Sequence, residues 1–357
     1  MITLSLCMIV KDEEAVIGRC LGSVTGLFDE IIVVDTGSTD ATKEIVATFG
    51  CKQYNFTWVD DFAAARNFSF SHATSQYIMW LDADDVLLEQ DLQKFMEIKK
   101  TLDPSVDVVM AKYNTAFDEN GQPTFSYNRE RIVRNTPAYR WVGAVHEVIA
   151  PIGKILYTDA SVTHVKLSAP DPQRNLRIFE AMIARGEVLD PRLQYYYARE
   201  LRTHKHYNEA IAVLTTFLND GRGWIENNIA ACMDLHSCYI ATNARALGLQ
   251  ALLRSFVYDT PRAEVCCALG EHFIQEAAYT QAIYWYLAAA AQEPNEQSSA
   301  FIQRDCYNFV PYLKLCVCYD KIGNAQQAVL YHNKAKMVRP THPSVVYNEE
   351  YFKNITV

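Results

Sequence analysis

Tyr77-Ile78-Met79-Trp80-Leu81-Asp82-Ala83-Asp84-Asp85 decides how the first half of this chain folds. Five apolar residues without a polar interruption read as a hydrophobic strand. The run stops abruptly on acids. In open α/β sheets the chemically active groups collect where strands end, so this is where a site is expected. On an extended backbone residues i and i+2 point to the same side, which lets Asp82 and Asp84 converge on one cation. Their oxygens suit Mg²⁺ or Mn²⁺, ions that also bridge phosphate oxygens. Asp85 reads as the cap of a helix over Val86–Lys99.

The same grammar extends outward from this strand. Leu4–Val10 is a first strand followed by a helix from Glu13 to Thr25, and Glu30–Val34 is a second strand ending at Asp35. Thr36-Gly37-Ser38 is turn chemistry, Asp40 reads as a helix cap, and Gly50 closes that helix. Val106–Tyr113 is a fourth strand, and Asp118–Pro123 with Asn120-Gly121 is a hairpin turn. Up to Lys166 strands and amphipathic segments alternate, the signature of a mainly parallel, Rossmann-like α/β sheet.

From Pro170 the pattern becomes helix upon helix. Small residues recur in Ala198…Ala210, Gly270…Ala282…Ala289 and Gly323…Ala328…Ala335, where paired helices must approach closely. This resembles the tetratricopeptide repeat, with copies near 192–219, 263–295 and 308–340. A fainter one at 226–260 (Leu235…Tyr239…Gly248) fills the gap, and Gln297–Asp305 sets off the last. The organisation is an α/β domain over 1–168 and an all-α, TPR-like domain over 169–357. Such an array leaves a concave face for a partner. The aromatic runs Tyr195-Tyr196-Tyr197 and Tyr284-Trp285-Tyr286 read mostly as core, with a minority available to a peptide or a second subunit.

Composition narrows the function classes. The 357 residues are 50% hydrophobic and 21% charged, with a formal net charge of −9. Such a chain packs cores and has no general electrostatic grip on nucleic acid or an anionic membrane. No apolar stretch is long enough to span a bilayer. Met1–Val10 lacks a basic leader and an Ala-x-Ala pattern and reads as a buried strand. The ten cysteines contain no Cys-x-x-Cys pair and several sit in helical patterns, so the expectation is a reduced, cytoplasmic protein.

Five blocks in order resemble family 2 glycosyltransferases of the GT-A fold. They are Ser5-Leu6-Cys7-Met8-Ile9-Val10-Lys11-Asp12-Glu13, Val33-Val34-Asp35-Thr36-Gly37-Ser38-Thr39-Asp40, Asp61-Phe62-Ala63-Ala64-Ala65-Arg66-Asn67, Trp80–Asp85, and Arg140-Trp141-Val142-Gly143-Ala144-Val145-His146-Glu147. With the repeat tail, the chain is similar to the bacterial subgroup that glycosylates bacteriocin-type peptides. The resemblance implies a UDP-sugar donor, a Mn²⁺ or Mg²⁺ ion and inversion at the anomeric carbon. It implies that backbone at Ile9, Val10 and Lys11 and the carboxylate of Asp35 hold the uracil. Glu14, Arg66 and Trp141 fall on the nucleotide-sugar side, and Asp82 is shared between ribose and metal. Asp84 is the main metal ligand, with His146 and His164 as further candidates. Glu147 is the candidate base, with His146 second. The helical half would recruit a peptide or protein acceptor or form a homodimer.

Bland readings stand beside these. Asp35 can begin a turn, Glu14 can be a first-turn acid, and Arg66 can be an ion pair of the site aspartates. Trp141 can be packed, and His164 can be core. Asp61 reads as a helix cap. His204, His206, His236, His272 and His332 read as surface or groove residues. Other functions in view are transfer to a cell-surface polysaccharide or lipopolysaccharide-type glycan, and a TPR scaffold whose transferase domain no longer acts. His146-Glu147 does not extend to His-Glu-x-x-His, so a zinc protease is unsupported.

Overall fold

Every residue of the strand Leu4–Val10 except Ile9 is buried, because the sheet that contains it is covered on both faces. In the computed structural model, which describes residues 1–117, 121–165, 171–294 and 302–355, the chain divides into two compact units, Met1–Val188 and Leu189–Val357.

The first unit runs β1 (Leu4–Val10), α1 (Ile17–Ser23), β2 (Glu30–Asp35), α2 (Thr42–Thr48), β3 (Lys52–Asn55), α3 (Phe62–Ser71), β4 (Tyr77–Trp80), β5 (Asp85–Val86), α4 (Glu89–Thr101), β6 (Val108–Phe117), β7 (Pro123–Arg134), β8 (Trp141–Val142), β9 (Val148–Ile149), β10 (Ile155–His164) and α5 (Arg174–Ala184). The sheet order is β3-β2-β1-β4-β7-β6-β10-β5, and β8 and β9 form a separate ribbon. Alternation along β1 and β4 sends Leu4, Leu6, Met8, Tyr77 and Met79 to a core shared with α1 and α4. Cys7, Ile78 and Trp80 go to the opposite core, with Ala63 and Phe70 of α3 and Trp141 of β8. Trp80 also anchors itself by donating from Nε1 to the Glu130 carbonyl at 2.6 Å.

The sheet is mixed, with parallel pairings in the majority along this order. The pairs β3/β2, β2/β1, β1/β4 and β6/β10 are parallel, whereas β4/β7, β7/β6 and β10/β5 are antiparallel. The reason lies in connectivity: β6 passes to β7 as a hairpin, and hairpin neighbours must be antiparallel. Residues 118–120 of the expected turn lie outside the described residues, as does 297–301 of the expected insertion; Gly121 has φ +74°. Two helices start later than the sequence pattern predicts. Asp12 takes a left-handed φ of 53° and α1 begins only at Ile17, while α4 begins at Glu89 with Leu88 before it. Helix α5, expected in the helical half, groups with the first unit. There Arg174 lies 4.7 Å over the Phe62 ring and Phe179 stacks with His146.

The second unit contains α6 (Pro191–Thr203), α7 (Tyr207–Asp220), α8 (Ile225–Ala241), α9 (Arg245–Arg254), α10 (Ala263–Gln275), α11 (Tyr279–Ala290), α12 (Phe309–Lys321), α13 (Ala325–Val338) and α14 (Pro343–Ile355). It opens with Pro191 at the first helical position and Asp190 accepting from Leu193 N at 2.8 Å, a strong helix start. The repeat is written in its turns. Lys205, Asn243, Ala277 and Gly323 each take a left-handed φ, two residues before the next helix. The following amides bond back to Leu201, Tyr239, Phe273 and Tyr319 carbonyls at 2.8, 2.8, 2.9 and 2.9 Å. This is the same C-terminal helix cap four times over, so the fainter copy at 226–260 is a full helix pair. Three residues into each second helix sits a small side chain, Ala210, Gly248, Ala282 or Ala328, and all are buried.

His272 and His332, expected on a surface or groove, are buried at 5% and 4% exposure; they lie on the packed faces of α10 and α13. The ten cysteines are free, and nine are buried. Among the described residues no helix is long and apolar enough to cross a membrane.

Gly270 of α10 marks a contact the tail needs. A Cβ there would stand 2.6–2.8 Å from the ring of Tyr286, which is itself 1% exposed and has nowhere to move. Gly270→Ala gains up to about 1 kcal/mol of helix propensity but overpacks by about 1–3 kcal/mol. Net destabilisation is expected, read as a lower urea midpoint for the tail; a raised midpoint would show that α10 and α11 can part without cost.

Candidate active site

The acids that end β4 do not lie on an extended backbone. Asp82 to Asp85 form a tight turn, closed by Asp85 N donating to the Asp82 carbonyl at 3.1 Å. The turn is held from inside by Asp85, which is fully buried and is not a helix cap. Its Oδ2 accepts from Asp82 N at 3.1 Å and from Arg131 Nη1 at 3.2 Å, and its Oδ1 accepts from the Tyr113 hydroxyl at 2.8 Å. Arg131 is buried to the same degree and stacks 3.8 Å over Trp80 and 4.2 Å over Tyr113. With Asp85 committed inward, Asp82 and Asp84 project from the turn with side chains 34% and 22% exposed.

Asp84 meets His164, which β10 brings alongside: Nδ1 lies 3.3 Å from Asp84 Oδ1 and 3.3 Å from Asp85 Oδ1. Hydrogen bonds to Asp84 and then Asp85 push the imidazole up to about 10, so without a metal the ring is protonated between two carboxylates, and a bound cation would take the place of that proton on a neutral imidazole. Ligand atoms of Asp84, Asp85 and His164 all lie within 4.8 Å of one another, the group that could hold a metal among the described residues. His146 is not part of it. One carboxylate and one imidazole are a donor set that Mn²⁺ accepts, while both Asp85 oxygens are already engaged. The residues therefore fit a divalent cation held chiefly by Asp84 and His164.

Asp82 turns the other way. Its Oδ1 accepts from Arg66 Nη2 at 2.7 Å, and Arg66 Nε donates to Glu147 Oε1 at 2.6 Å. Arg66 projects from α3, one turn after the start set by Asp61, whose side chain accepts from Ala64 N at 2.8 Å. Its guanidinium is flanked by Trp141 at 4.8 Å and Trp80 at 5.3 Å. Burial works against its charge, but Asp82 and Glu147 outweigh that and hold it protonated. Burial alone would likewise raise Asp82; the charge and hydrogen bond of Arg66 hold it below the usual carboxylate range. Trp141 is 3% exposed, so it forms the wall of the Arg66 slot instead of offering a face to a nucleotide. Asn67 fixes that wall through a reciprocal pair of 2.9 Å bonds with the Trp141 amide and carbonyl.

His146 and Glu147 lie in the loop between β8 and β9. His146 takes a left-handed φ of 51°, a conformation a non-glycine residue adopts at some cost. Its ring stacks 6.4 Å from Phe179 of α5. The next side chain, Glu147, is 12% exposed on Arg66.

At the end of β2, Asp35 is 5% exposed. Its Oδ1 accepts from Gly37 N at 2.9 Å and Ser38 N at 3.0 Å, while Oδ2 is buried with no hydrogen-bond partner. The turn reading is thus met by one oxygen only. Ile9 and Val10 end β1 beside it, Val10 O receives Thr36 N at 2.9 Å, and Lys11 is exposed. Glu14 is also exposed, and its Oε2 accepts from Ala41 N at 2.9 Å. It steadies the start of α2, as Asp40 does by accepting from Thr42 N at 3.0 Å.

Two residues were not singled out from the sequence. Glu13 is half-buried, and burial followed by repulsion from Asp84 and Asp82 pushes it up to about 7. Its place just past the end of β1 was the available signal. Arg174 of α5 feels Glu147, Asp82 and Glu13; no local pattern pointed to it.

A metal-fitting turn, an Arg-bridged pair of acids and an unmatched carboxylate oxygen thus lie at adjacent strand ends. Residues 5–153 match the family model described as Glycosyl transferase family 2, so the N-terminal part of the chain is a domain of that family. A TPR repeat-containing protein of Synechococcus elongatus is 38% identical over 150 residues, 42% of this chain and 36% of that one. The SPbeta prophage-derived glycosyltransferase SunS of Bacillus subtilis is 28% identical over 249 residues, 64% of this chain and 58% of that one. The matches thus span from about a third to somewhat over half of these relatives. Among solved structures, the TPR protein YrrB is similar at a TM-score of 0.38 and 16% identity, covering 50% of this chain and 84% of that one. Glucosyl-3-phosphoglycerate synthase from Mycobacterium tuberculosis, in complex with Mn²⁺ and UDP, is similar at 0.36 and 13%, covering 53% and 82%.

The two classes of acid in the turn separate by stability. Asp85→Asn leaves Arg131 buried beside a neutral group, and breaking a buried pair costs about 3–5 kcal/mol. Asp84→Asn removes only a contact with a half-buried imidazole and is expected to cost about 1 kcal/mol or less. Chemical denaturation of the two variants checks this ordering; equal losses would mean that Asp85 does not hold the turn.

Proposed function

We propose that the first unit transfers a sugar from a UDP-sugar to a peptide or protein acceptor, with inversion and with the help of Mn²⁺ or Mg²⁺. The observation that carries the reading is Asp35. A turn uses one of its oxygens, and the other is buried and unmatched beside the strand ends that hold Glu13, Asp82 and Asp84. An unpaired buried acceptor costs about 1–3 kcal/mol, and the N3–H of uracil is the donor such an atom needs. Backbone of Ile9–Lys11 lines the same edge.

The other residues follow from their contacts. Asp84 and His164 would hold the cation, which supplies charge neutralisation for the departing diphosphate. Asp82, fixed by Arg66, keeps its second oxygen for the ribose, and the ion is left to Asp84 and His164. Glu147 keeps one oxygen on Arg66 and has the other for the acceptor's proton, so one guanidinium orients a donor-side and an acceptor-side acid together. His146, in a strained loop against Phe179, positions Glu147 and is the second candidate base. The helix pairs of the tail supply the acceptor-recruiting surface, where Tyr284 is 66% exposed. The combination of the five family-2-like blocks with a repeat tail, which resembles the bacterial subgroup that glycosylates bacteriocin-type peptides, supports a peptide acceptor.

A panel of UDP- and GDP-sugars with Mn²⁺ or Mg²⁺, scored by nucleotide release, tests the reaction. Release from a UDP-sugar is expected, and Asp84→Ala should reduce it by at least about 100-fold; release untouched by that change sinks the reading. Asp35→Asn tests the base. Its amide oxygen can still accept from Gly37 and Ser38, while its NH₂ replaces the free acceptor by a donor. UDP affinity should fall about 10- to 100-fold, and CDP, whose ring N3 accepts, should fall less or gain. Unchanged UDP affinity would remove Asp35 from base recognition.

A further inference from the structure

We propose that Arg174, the first residue of α5, is the cation that grips the diphosphate of the donor. The inference rests on the nucleotide-sugar reading above and adds a residue to it. Acids dominate the site: Glu13, Asp82, Asp84, Asp85 and Glu147 face Arg66, Arg131 and His164. Arg131 is spent on Asp85, Arg66 on Asp82 and Glu147, and His164 on Asp84 and Asp85. A nucleoside diphosphate brings roughly two to three further negative charges, and a divalent ion offsets only part of them.

Arg174 is placed to offset the rest. Its guanidinium rests 4.7 Å over Phe62, the residue one helical turn before Arg66. Phe62 N in turn donates to the Ala144 carbonyl at 2.8 Å, in the loop that carries His146 and Glu147. Arg174 is within electrostatic reach of Glu147, Asp171, Asp82 and Glu13, yet closes no ion pair with any of them. Its Nε is buried without a partner. A cation in the first turn opposes the helix dipole, and an unmatched buried N–H is a cost with no return in the free protein. A phosphate oxygen satisfies both, since guanidinium binds phosphate through paired N–H donors.

The chemical step balances around this arrangement. The bond between the anomeric carbon and the β-phosphate oxygen breaks, and its electron pair remains on that oxygen. The acceptor atom bonds the anomeric carbon, and its proton passes to Glu147. Arg174 stabilises the charge left on the diphosphate, an interaction strengthened as that charge develops.

Calorimetric titration of uridine and UDP, each with Mn²⁺, into the full chain tests the assignment in wild type, Arg174→Gln and Arg174→Lys. Arg174→Gln should bind UDP about 10- to 100-fold more weakly with uridine affinity unchanged. Arg174→Lys, which keeps a charge without the fork, should fall between. UDP affinity unchanged in Arg174→Gln overturns the proposal, and so do equal losses for uridine and UDP, which would mark a packing role. Wild type that binds neither ligand overturns the nucleotide-sugar reading and this assignment together. Thermal midpoints of the variants within a few degrees of wild type tie the loss to the site; a collapsed midpoint in both overturns the assignment in favour of a structural arginine.

Discussion

A carboxylate with no exposure to water, Asp85, sits at the centre of the first unit, and the geometry of the site depends on how it is neutralised. Arg131, Tyr113, His164 and the Asp82 amide surround it. Such a group is tolerated only when its oxygens are fully engaged, and those partners come from the turn itself and from three different strands. Strands β7, β6 and β10 are thereby locked to the end of β4. The two neighbouring acids gain their freedom from this. Because Asp85 closes the turn, Asp82 and Asp84 need not contribute to folding and stand away from each other, one on a guanidinium and one on an imidazole.

The division between what the sequence reveals and what it hides follows the range of the interactions. Apolar runs ending on Asp35 and Asp82 are local patterns, and they located the strand ends and the acids there. The start of α3 at Asp61 and the helix pairs of the tail were legible for the same reason. The conformation of Asp82 to Asp85 was not. Read as extended, it assigned Asp85 to a helix cap, because its partner Arg131 lies 46 residues away on a strand whose direction only the assembled sheet fixes. Trp141 shows the same limit. An aromatic residue in a motif can face a ligand or a side chain, and the burial that decides this comes from Trp80 and Phe70. No local pattern marks Arg174, and for Glu13 the only mark is its place just past the end of β1; the significance of both is electrostatic and arises from groups brought together by folding.

The fainter repeat illustrates the converse. Gly248 replaces the alanine that marks the other copies, and Asn243 and Ala277 stand where Gly323 suits the left-handed turn best. Residue identity has drifted while the hydrogen-bond pattern of the turn has stayed. Backbone geometry is the stricter invariant, and it is invisible to a scan for matching letters.

That invariant has a consequence for how the tail can change. Four helix pairs closed by one and the same turn behave as interchangeable links, each held mainly by its immediate neighbours. Gain or loss of a link alters the reach and curvature of the array in whole steps while every remaining junction stays as it was. The set of surfaces offered to partners can therefore diversify by recombination of units, on a timescale independent of the point substitutions that govern the sheet and its acids.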